Sequence, residues 1–144
     1  MFMNIWKGDI DTQFLNDLNK DTLGEFFGIN FTAIGADFLT ATMPVNNKTK
    51  QPFGLLHGGA SVALAETIGS VASWCVVNRD MFIGVGVEIN ANHVKAVTGG
   101  HVTAVCKPIK IGGKIHIWEI RISDEAGDLC CISRFTCMVV PKMK

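Results

Sequence analysis

An extended apolar segment lies at residues 58–77, with the sequence GGASVALAETIGSVASWCVV. Small residues recur along it, and a single carboxylate, Glu66, stands near its middle among hydroxyl side chains. A membrane-spanning helix would carry larger apolar residues and no central acid. We therefore predict a helix from His57 to about Val77 that is enclosed by protein, with Asn78 to Asp80 as its stop.

The segments on both sides of this helix alternate with the two-residue period of strands. A helix that is apolar nearly all round must be covered, and the simplest cover is one curved antiparallel sheet. The pattern therefore predicts an α+β fold in one domain, residues 1–144, with a long central helix wrapped by five to six strands. The predicted strands are 28–34, 38–45, 82–97, 101–111, 114–123 and 129–140, after a short helix capped by Asp11 or Thr12 and a turn over 22–26.

Composition limits the classes of function. The 144 residues include thirteen basic and thirteen acidic side chains, so the formal net charge of +0 disfavours a nucleic-acid partner. The five cysteines are odd in number and form no C-x-x-C pair, as expected for reduced thiols in a cytoplasmic protein. The N-terminal residues lack the apolar run of a signal peptide, and no membrane association is predicted.

The predicted sheet has apolar residues on both faces. In segment 114–123, Ile115 and Ile117 point away from the face that carries Trp118 and Ile120. One helix covers only one face of a sheet. Self-association would cover the other face, so we predict an oligomer rather than a monomer.

Two features of the helix could carry chemistry. The start of the helix, His57-Gly58-Gly59, would present free N–H groups and the positive end of the helix dipole to a developing negative charge. Glu66 is either a catalytic acid or a polar position that is exposed or paired with a distant Lys or Arg. It lies roughly 12 Å along the helix axis from Gly58, which favours a site shared with a neighbouring chain.

Other catalytic groups are disfavoured. The histidines have no metal-ligand spacing, so no metal site is predicted. No cysteine stands next to a histidine in the way that a cysteine nucleophile requires.

The segments Gln51-Pro-Phe-Gly-Leu-Leu-His57-Gly-Gly-Ala-Ser61 and Leu64-Ala-Glu66-Thr-Ile-Gly-Ser70 resemble the hotdog-fold acyl-coenzyme A thioesterases, in the branch of the 4-hydroxybenzoyl-CoA and phenylacetyl-CoA enzymes. Three further segments are similar to the dihydroxynaphthoyl-CoA hydrolases of menaquinone synthesis and their enterobactin-associated proofreading relatives. They are Glu88-Ile-Asn90-Ala-Asn92-His93, Cys106-Lys-Pro108 with Gly112, and Cys130-Cys131. The resemblance extends from about Ile5 to Val140.

The resemblance implies a role for each matching residue. Glu66 would act as nucleophile or as general base on water, and the Gly58 N–H would polarise the thioester carbonyl. Gln51 and His57 would orient the thioester, and Ser70 would hold the carboxylate or the attacking water. The resemblance places this site between two subunits of a homodimer, often a dimer of dimers, so a homotetramer is expected.

The resemblance also implies contacts with the coenzyme, which is part of the substrate, so no separate cofactor is expected. The implied coenzyme-binding residues are Gly86, His93, Val94, Lys95, Ala96, Lys110, Ile111, Gly112, Gly113, Lys114 and Ile115. Lys95, Lys107, Lys110 and Lys114 could meet the phosphates, or could be ordinary solvated lysines. Some relatives carry Arg where Lys95 stands and a hydroxyl side chain where Gly113 stands.

The implied activity is hydrolysis of aromatic acyl-CoA thioesters, such as dihydroxynaphthoyl-CoA or benzoyl-CoA-like compounds, and of medium-chain ones. One alternative is proofreading of aryl groups misloaded on a carrier protein. A second is a non-catalytic acyl-CoA binding module, which would not need Gln51, Glu66 and Ser70 together. A hotdog dehydratase would place a histidine-based dyad at the site, and this helix contains no histidine.

Overall fold

A computed structural model describes residues 4–143. It contains three helices and six strands within those residues. In chain order they are α1 (Thr12–Asp17), α2 (Leu23–Phe26), β1 (Asn30–Ile34), β2 (Leu39–Pro44), α3 (Gly58–Cys75), β3 (Phe82–His93), β4 (His101–Ile111), β5 (Ile115–Ser123) and β6 (Leu129–Pro141).

All six strands form one antiparallel sheet in the order β1-β2-β4-β5-β6-β3. Helix α3 packs on one face of this sheet and touches β2 through β6. The predicted α+β architecture, with a long helix against a six-stranded sheet, is confirmed. Residues 1–3 and 144, which belong to the predicted single domain, lie outside the described residues.

Small residues bring α3 close to the sheet. Leu64 and Ile68 are fully buried against the strands. A methyl group built on Gly69 would lie 2.5 Å from Phe135 Cδ1, so only glycine permits this approach of helix and strand. The same face buries Trp118, whose ring stacks on Trp6 with the centroids 6.4 Å apart. The core therefore lies between α3 and the face of the sheet that this helix covers.

Most predicted strand boundaries lie within two residues of the observed ones, and two differences bear on the ends of β3 and α3. Strand β3 ends at His93 instead of 97, and α3 ends at Cys75 instead of 77. After His93 the chain leaves the ladder, because the N–H groups of Val94 and Lys95 both donate to the Cys130 carbonyl, at 2.8 and 3.3 Å. Residues 94–97 therefore form a loop.

The other face of the sheet is partly apolar, as predicted. Val85, Ile109 and Met138 expose 42%, 57% and 39% of their surfaces. Strand β3 is also the last strand of the sheet, so one of its edges has no neighbouring strand within residues 4–143. An edge of 12 residues with exposed valines is a surface that proteins normally cover.

Candidate active site

The first turn of α3 offers a free backbone donor. His57 is the N-cap, and its Nδ1 accepts a hydrogen bond of 2.8 Å from the Gly59 N–H. Within residues 4–143, the N–H of Gly58 has no hydrogen-bond partner. It stands at the positive end of an 18-residue helix, where a developing negative charge is stabilised. The predicted position of Gly58 at the helix start is therefore confirmed.

The imidazole of His93 lies against Gly58. A methyl group built on Gly58 would come within 2.9 Å of His93 Nε2 and 3.2 Å of Cε1. The absence of a side chain on Gly58 therefore makes room for this ring. The fold joins two residues that are 35 positions apart in the chain, one predicted for the thioester and one for the coenzyme.

Gln51 sits in a tight turn before α3. Its side-chain Oε1 accepts a hydrogen bond from the Phe53 N–H, and its backbone N–H donates to the Leu55 carbonyl at 2.8 Å. The turn is anchored further by the His57 N–H, which donates to the Thr49 carbonyl at 2.8 Å. Since Oε1 is engaged, the Nε2 amino group of Gln51 is the part of the amide that can donate to a ligand.

Gln51, Gly58 and His93 line one cleft of about 400 Å³. Residues 94–97 also line it, and two of its lining residues are joined by a hydrogen bond of 2.8 Å from the Leu56 N–H to the Val97 carbonyl. The remaining lining residues are Leu55, Leu56, Ser61 and Cys130. Sequence reasoning did not assign Cys130 to the site, because nothing in its local pattern shows that the start of β6 borders this cleft.

Glu66 occupies a different place. Its side chain is half-buried and has no hydrogen bond or ion pair with any residue from 4 to 143. A methyl group built on Gly86 would lie 2.7 Å from Glu66 Oε1, so the carboxylate packs on the bare backbone of β3. Ser70 follows one turn later on the same face of α3. The alternative of a Glu66 paired with a distant Lys or Arg does not hold within the described chain.

Ser73 is not part of this group. It lies two turns after Glu66 along α3, but its hydroxyl accepts a hydrogen bond of 2.7 Å from the buried Trp118 Nε1. It is fully buried, whereas Ser70 is half-buried. Ser73 therefore stabilises the core by accepting this hydrogen bond.

The candidate site residues separate into two half-sites at opposite ends of the sheet. His93 pairs with Cys131, which in turn pairs with Ile122 near the end of β5. Gly86 pairs with Cys137, which pairs with His116 at the start of β5. The two ends are roughly 20 Å apart at about 3.3 Å per residue. The first half-site holds Gln51, His57, Gly58 and residues 93–96, and the second holds Glu66, Ser70, Gly86 and the turn 110–115.

Lys95 is therefore separated from the other candidate lysines. The expected group of Lys95 with Lys107, Lys110 and Lys114 does not exist in a single chain, because the loop 94–97 and the β4–β5 turn lie at opposite ends. Instead, Lys95 Nζ forms ion pairs with Asp124 at 2.5 Å and Asp128 at 2.6 Å. Its hydrogen bonds to Asp124 and then Asp128 hold the pKa of Lys95 well above the usual range.

The aromatic side chains of Phe53 and Trp74 have different surroundings. Phe53 is 88% exposed at the tip of the turn beside Gln51. Trp74 stacks on Phe14 with the centroids 6.0 Å apart, and the Arg79 guanidinium lies 5.5 Å from each ring centroid. Trp74 is thus engaged in packing at the end of α3, and Phe53 is free to contact a ligand.

The five cysteines are free and buried. Burial raises the pKa of the Cys75 thiol to about 11, so it is not a thiolate near neutral pH. Within residues 4–143, no three His, Cys, Asp or Glu side chains lie close enough to share a metal ion. Among the helices of the same residues, none combines the length and apolarity that crossing a bilayer requires.

Known proteins resemble this chain over nearly its whole length. Residues 53–131 match the Thioesterase superfamily. The chain is 50% identical over 136 residues to the 1,4-dihydroxy-2-naphthoyl-CoA hydrolase of Escherichia coli strain K12, across 94% of this chain and 99% of that protein. It is 49% identical to the proofreading thioesterase EntH of Cronobacter turicensis, across 94% of this chain and 98% of that protein.

Solved structures agree with these matches. A thioesterase of Pseudomonas aeruginosa superposes with a TM-score of 0.94 at 46% identity, over 96% of this chain and 99% of that one. A thioesterase of Haemophilus influenzae gives a TM-score of 0.93 at 44% identity, over 97% of both chains.

The chain belongs to the Thioesterase superfamily. Its six-stranded sheet around one long helix is the hotdog fold of its structural neighbours, and the predicted resemblance is confirmed. It is a thioester hydrolase by its similarity to these enzymes.

Proposed function

We propose that this enzyme hydrolyses acyl-coenzyme A thioesters of aromatic acids, of the 1,4-dihydroxy-2-naphthoyl or benzoyl type, in the cytoplasm. The observation that carries this proposal is the carboxylate of Glu66, which has no partner within the described chain and packs on Gly86. The similarity to a naphthoyl-CoA hydrolase supports the aromatic acyl group. The five free cysteines support a reducing compartment.

The Gly58 N–H supplies the electrostatic part of the reaction. Attack on a thioester carbonyl places negative charge on its oxygen, and a preorganised N–H at a helix start stabilises that charge. His57 holds this turn in place through its bond with Gly59, and Gln51 offers an amide donor in the same cleft. The coenzyme thiol has a pKa of about 8.5, so it leaves as a thiolate with little protonation.

Glu66 supplies the nucleophilic part. Its carboxylate either attacks the thioester carbon, forming an anhydride that water then cleaves, or removes a proton from an attacking water. Ser70, one turn away, is placed to hold the carboxylate or the water. Hydrolysis in labelled water under single-turnover conditions distinguishes the routes, because only the anhydride route can place water's oxygen into Glu66.

The complete site needs two copies of the chain. Glu66 and the turn 110–115 lie at one end of β3, and Gly58 with the loop 94–97 lies at the other. If two β3 edges pair antiparallel, each Glu66 end meets the Gly58 end of the other copy. The unpaired edge of β3 and the apolar outer face support a homodimer, and a homotetramer that covers the outer face.

The test of catalysis is Glu66→Gln, assayed with benzoyl-CoA and a thiol-reactive dye. We expect a loss in kcat of about a hundredfold or more with the fold intact, because the amide can neither attack nor accept the proton. Glu119→Gln is the matched control, since Glu119 is also half-buried but lies on the outer face near Arg121, at 3.8 Å. Near-normal turnover by Glu66→Gln would refute the mechanism. No thiol release by the wild-type protein would indicate a binding module.

A mixing experiment tests the shared site. Glu66→Gln and Gln51→Ala chains are each expected to be nearly inactive, and each damages a different half-site. If two chains build one site, mixed dimers regain one intact site, and an equal mixture recovers about a quarter of wild-type activity. An active mixture supports the shared site, and an inactive mixture of exchanged dimers refutes it.

A second candidate is proofreading of aryl groups misloaded on a carrier protein. The similarity of 49% to EntH favours it almost as strongly as the other match favours the CoA substrate. Comparing kcat/KM for a benzoyl group on CoA and on a phosphopantetheinylated carrier protein distinguishes the two. A higher value on the carrier protein would select the proofreading function.

A further inference from the structure

The loop 94–97 is held to the rest of the protein by an ion-pair cluster that we call the Lys95 clamp: Lys95, Asp124 and Asp128. Lys95 Nζ donates to Asp124 Oδ2 at 2.5 Å and to Asp128 Oδ2 at 2.6 Å. Both acids belong to the turn between β5 and β6. We propose that Lys95 is a positioning residue, which holds the cleft wall for the acyl-CoA and does not itself bind a coenzyme phosphate. This inference rests on the proposed function.

The loop carries the wall of the cleft and is fixed at both ends by the backbone. Val94 and Lys95 donate their N–H groups to the Cys130 carbonyl, and the Val97 carbonyl accepts from Leu56. His93, Val94, Ala96 and Val97 all border the cleft that contains Gly58. The clamp adds a side-chain anchor at the middle of this short loop. A shift of the loop would therefore move the surface on which the pantetheine arm or the thioester rests.

The charges around Lys95 argue against a phosphate ligand. One ammonium group faces two carboxylates, so the cluster carries a net negative charge and repels a phosphate. The hydrogen bond from Lys95 keeps the pKa of Asp124 below its ordinary value, so this acid stays ionised at neutral pH. Lys110 and Lys114, in contrast, form no ion pair with any residue from 4 to 143. They remain the candidates for the coenzyme phosphates.

Asp124 allows the clamp to be broken without disturbing its turn. Its Oδ1 accepts the N–H groups of Ala126 and Asp128, both at 3.0 Å, while its Oδ2 faces Lys95. In Asp124→Asn the amide oxygen keeps both turn hydrogen bonds, and the amide nitrogen replaces the oxygen that faces Lys95. This variant removes an ion pair and leaves Lys95 in place, with its charge less neutralised.

The experiment compares Lys95→Met, Lys95→Arg and Asp124→Asn on two substrates. Benzoyl-CoA carries the phosphates, and S-benzoyl-N-acetylcysteamine has none. For a positioning residue, we expect Lys95→Met and Asp124→Asn to lower kcat/KM roughly three- to tenfold on both substrates, mostly through KM. Lys95→Arg should restore wild-type values, because the guanidinium can reach both carboxylates. Lys20→Met, which removes a lysine from an exposed pair with Asp17 on α1, is the control that should leave activity unchanged.

A phosphate-binding Lys95 would give a different pattern on the two substrates. Lys95→Met would then weaken only benzoyl-CoA, and Asp124→Asn would improve it by freeing the ammonium group. Either result would refute the positioning role of Lys95. An unchanged kcat/KM in Lys95→Met on both substrates would also refute it.

Amide hydrogen exchange separates failure of the clamp from failure of the proposed function. If the wild-type protein hydrolyses neither thioester, the proposed function fails, yet the clamp can still be tested. Faster exchange of the Val94 and Lys95 amides in Lys95→Met than in Lys20→Met supports the clamp. Equal exchange refutes it.

Discussion

The carboxylate of Glu66 packs directly on the backbone of Gly86, where a methyl group would lie 2.7 Å from Glu66 Oε1. The same methyl group would also lie 3.0 Å from Phe135 Cε2. Gly86 thus leaves the space in which the acid stands, between α3 and the sheet. This contact ties the position of the proposed catalytic group to a single residue of β3.

Gly86→Ala is expected to displace this carboxylate. We predict that kcat falls by on the order of tenfold or more, because a catalytic group shifted by about 1 Å loses its alignment. Overpacking against Phe135 should also lower the free energy of unfolding by about 1–3 kcal/mol. Steady-state kinetics and urea unfolding measure both effects. Gly99→Ala is the control, because nothing lies within 4 Å of its added methyl group; equal behaviour of the two variants would contradict the prediction.

Substitutions of Ser70 and Ser73 should affect different properties, catalysis for Ser70 and stability for Ser73. Ser73→Ala leaves the buried Trp118 Nε1 without an acceptor, so we predict a loss of about 1–3 kcal/mol in unfolding free energy with kcat unchanged. Ser70→Ala should lower kcat and leave stability within about 0.5 kcal/mol. Urea unfolding followed by kinetics on the folded variants tests the pair. A fall in kcat for Ser73→Ala alone would reverse the assignment.

We predict that the role of His57 as N-cap of α3 can be separated from its proposed role in orienting the thioester. His57→Ala removes the acceptor of the Gly59 N–H and should cost about 0.5–2 kcal/mol of stability. His57→Asn supplies another N-cap oxygen and should recover that stability. If the imidazole also orients the thioester, both variants lose activity in assays of folded protein. Full activity of His57→Asn would show that the ring acts only as a cap.

His116 should make stability depend on pH. Its side chain is 1% exposed and its Nδ1 has no hydrogen-bond partner within residues 4–143. Burial lowers the pKa of His116 below 6.5, against the opposing effect of a hydrogen bond with the Gly112 backbone. The unfolded chain therefore binds a proton more readily, and the stability present above pH 6.5 is lost as the pH falls through that value.

Urea unfolding of the wild type and of His116→Gln, between about pH 7.5 and about pH 5, measures this contribution. The wild type should lose more unfolding free energy over this range than the variant, because glutamine does not titrate. Parallel pH dependences in the two proteins would show that other groups are responsible.

Much of the fold could be predicted because its signals are local. The apolar character of α3 on all sides requires a surrounding sheet, and the two-residue period of segments such as 114–123 identifies strands whichever neighbours they pair with. Asp11 is the N-cap of α1, as predicted, because a cap needs only its own turn. Glu66 and Gly58 could be selected as candidate site residues for the same reason. A lone acid and a glycine pair at a helix start are features of a single segment.

The arrangement of the site depends on pairings between distant segments, which local pattern does not contain. Strand order and register bring His93 to Gly58 and place Gly86 against Glu66, and they separate these two pairs by roughly 20 Å. Lys95 forms its ion pair with Asp124, which lies 29 positions later in the chain. The residues next to Lys95 in the sequence therefore do not show that its charge is neutralised. Ser70 and Ser73 cannot be distinguished by their helical spacing from Glu66. Only the packing of Trp118, which donates to Ser73, distinguishes them. Hydrogen bonding in the core depends on which side chains the tertiary fold brings within reach.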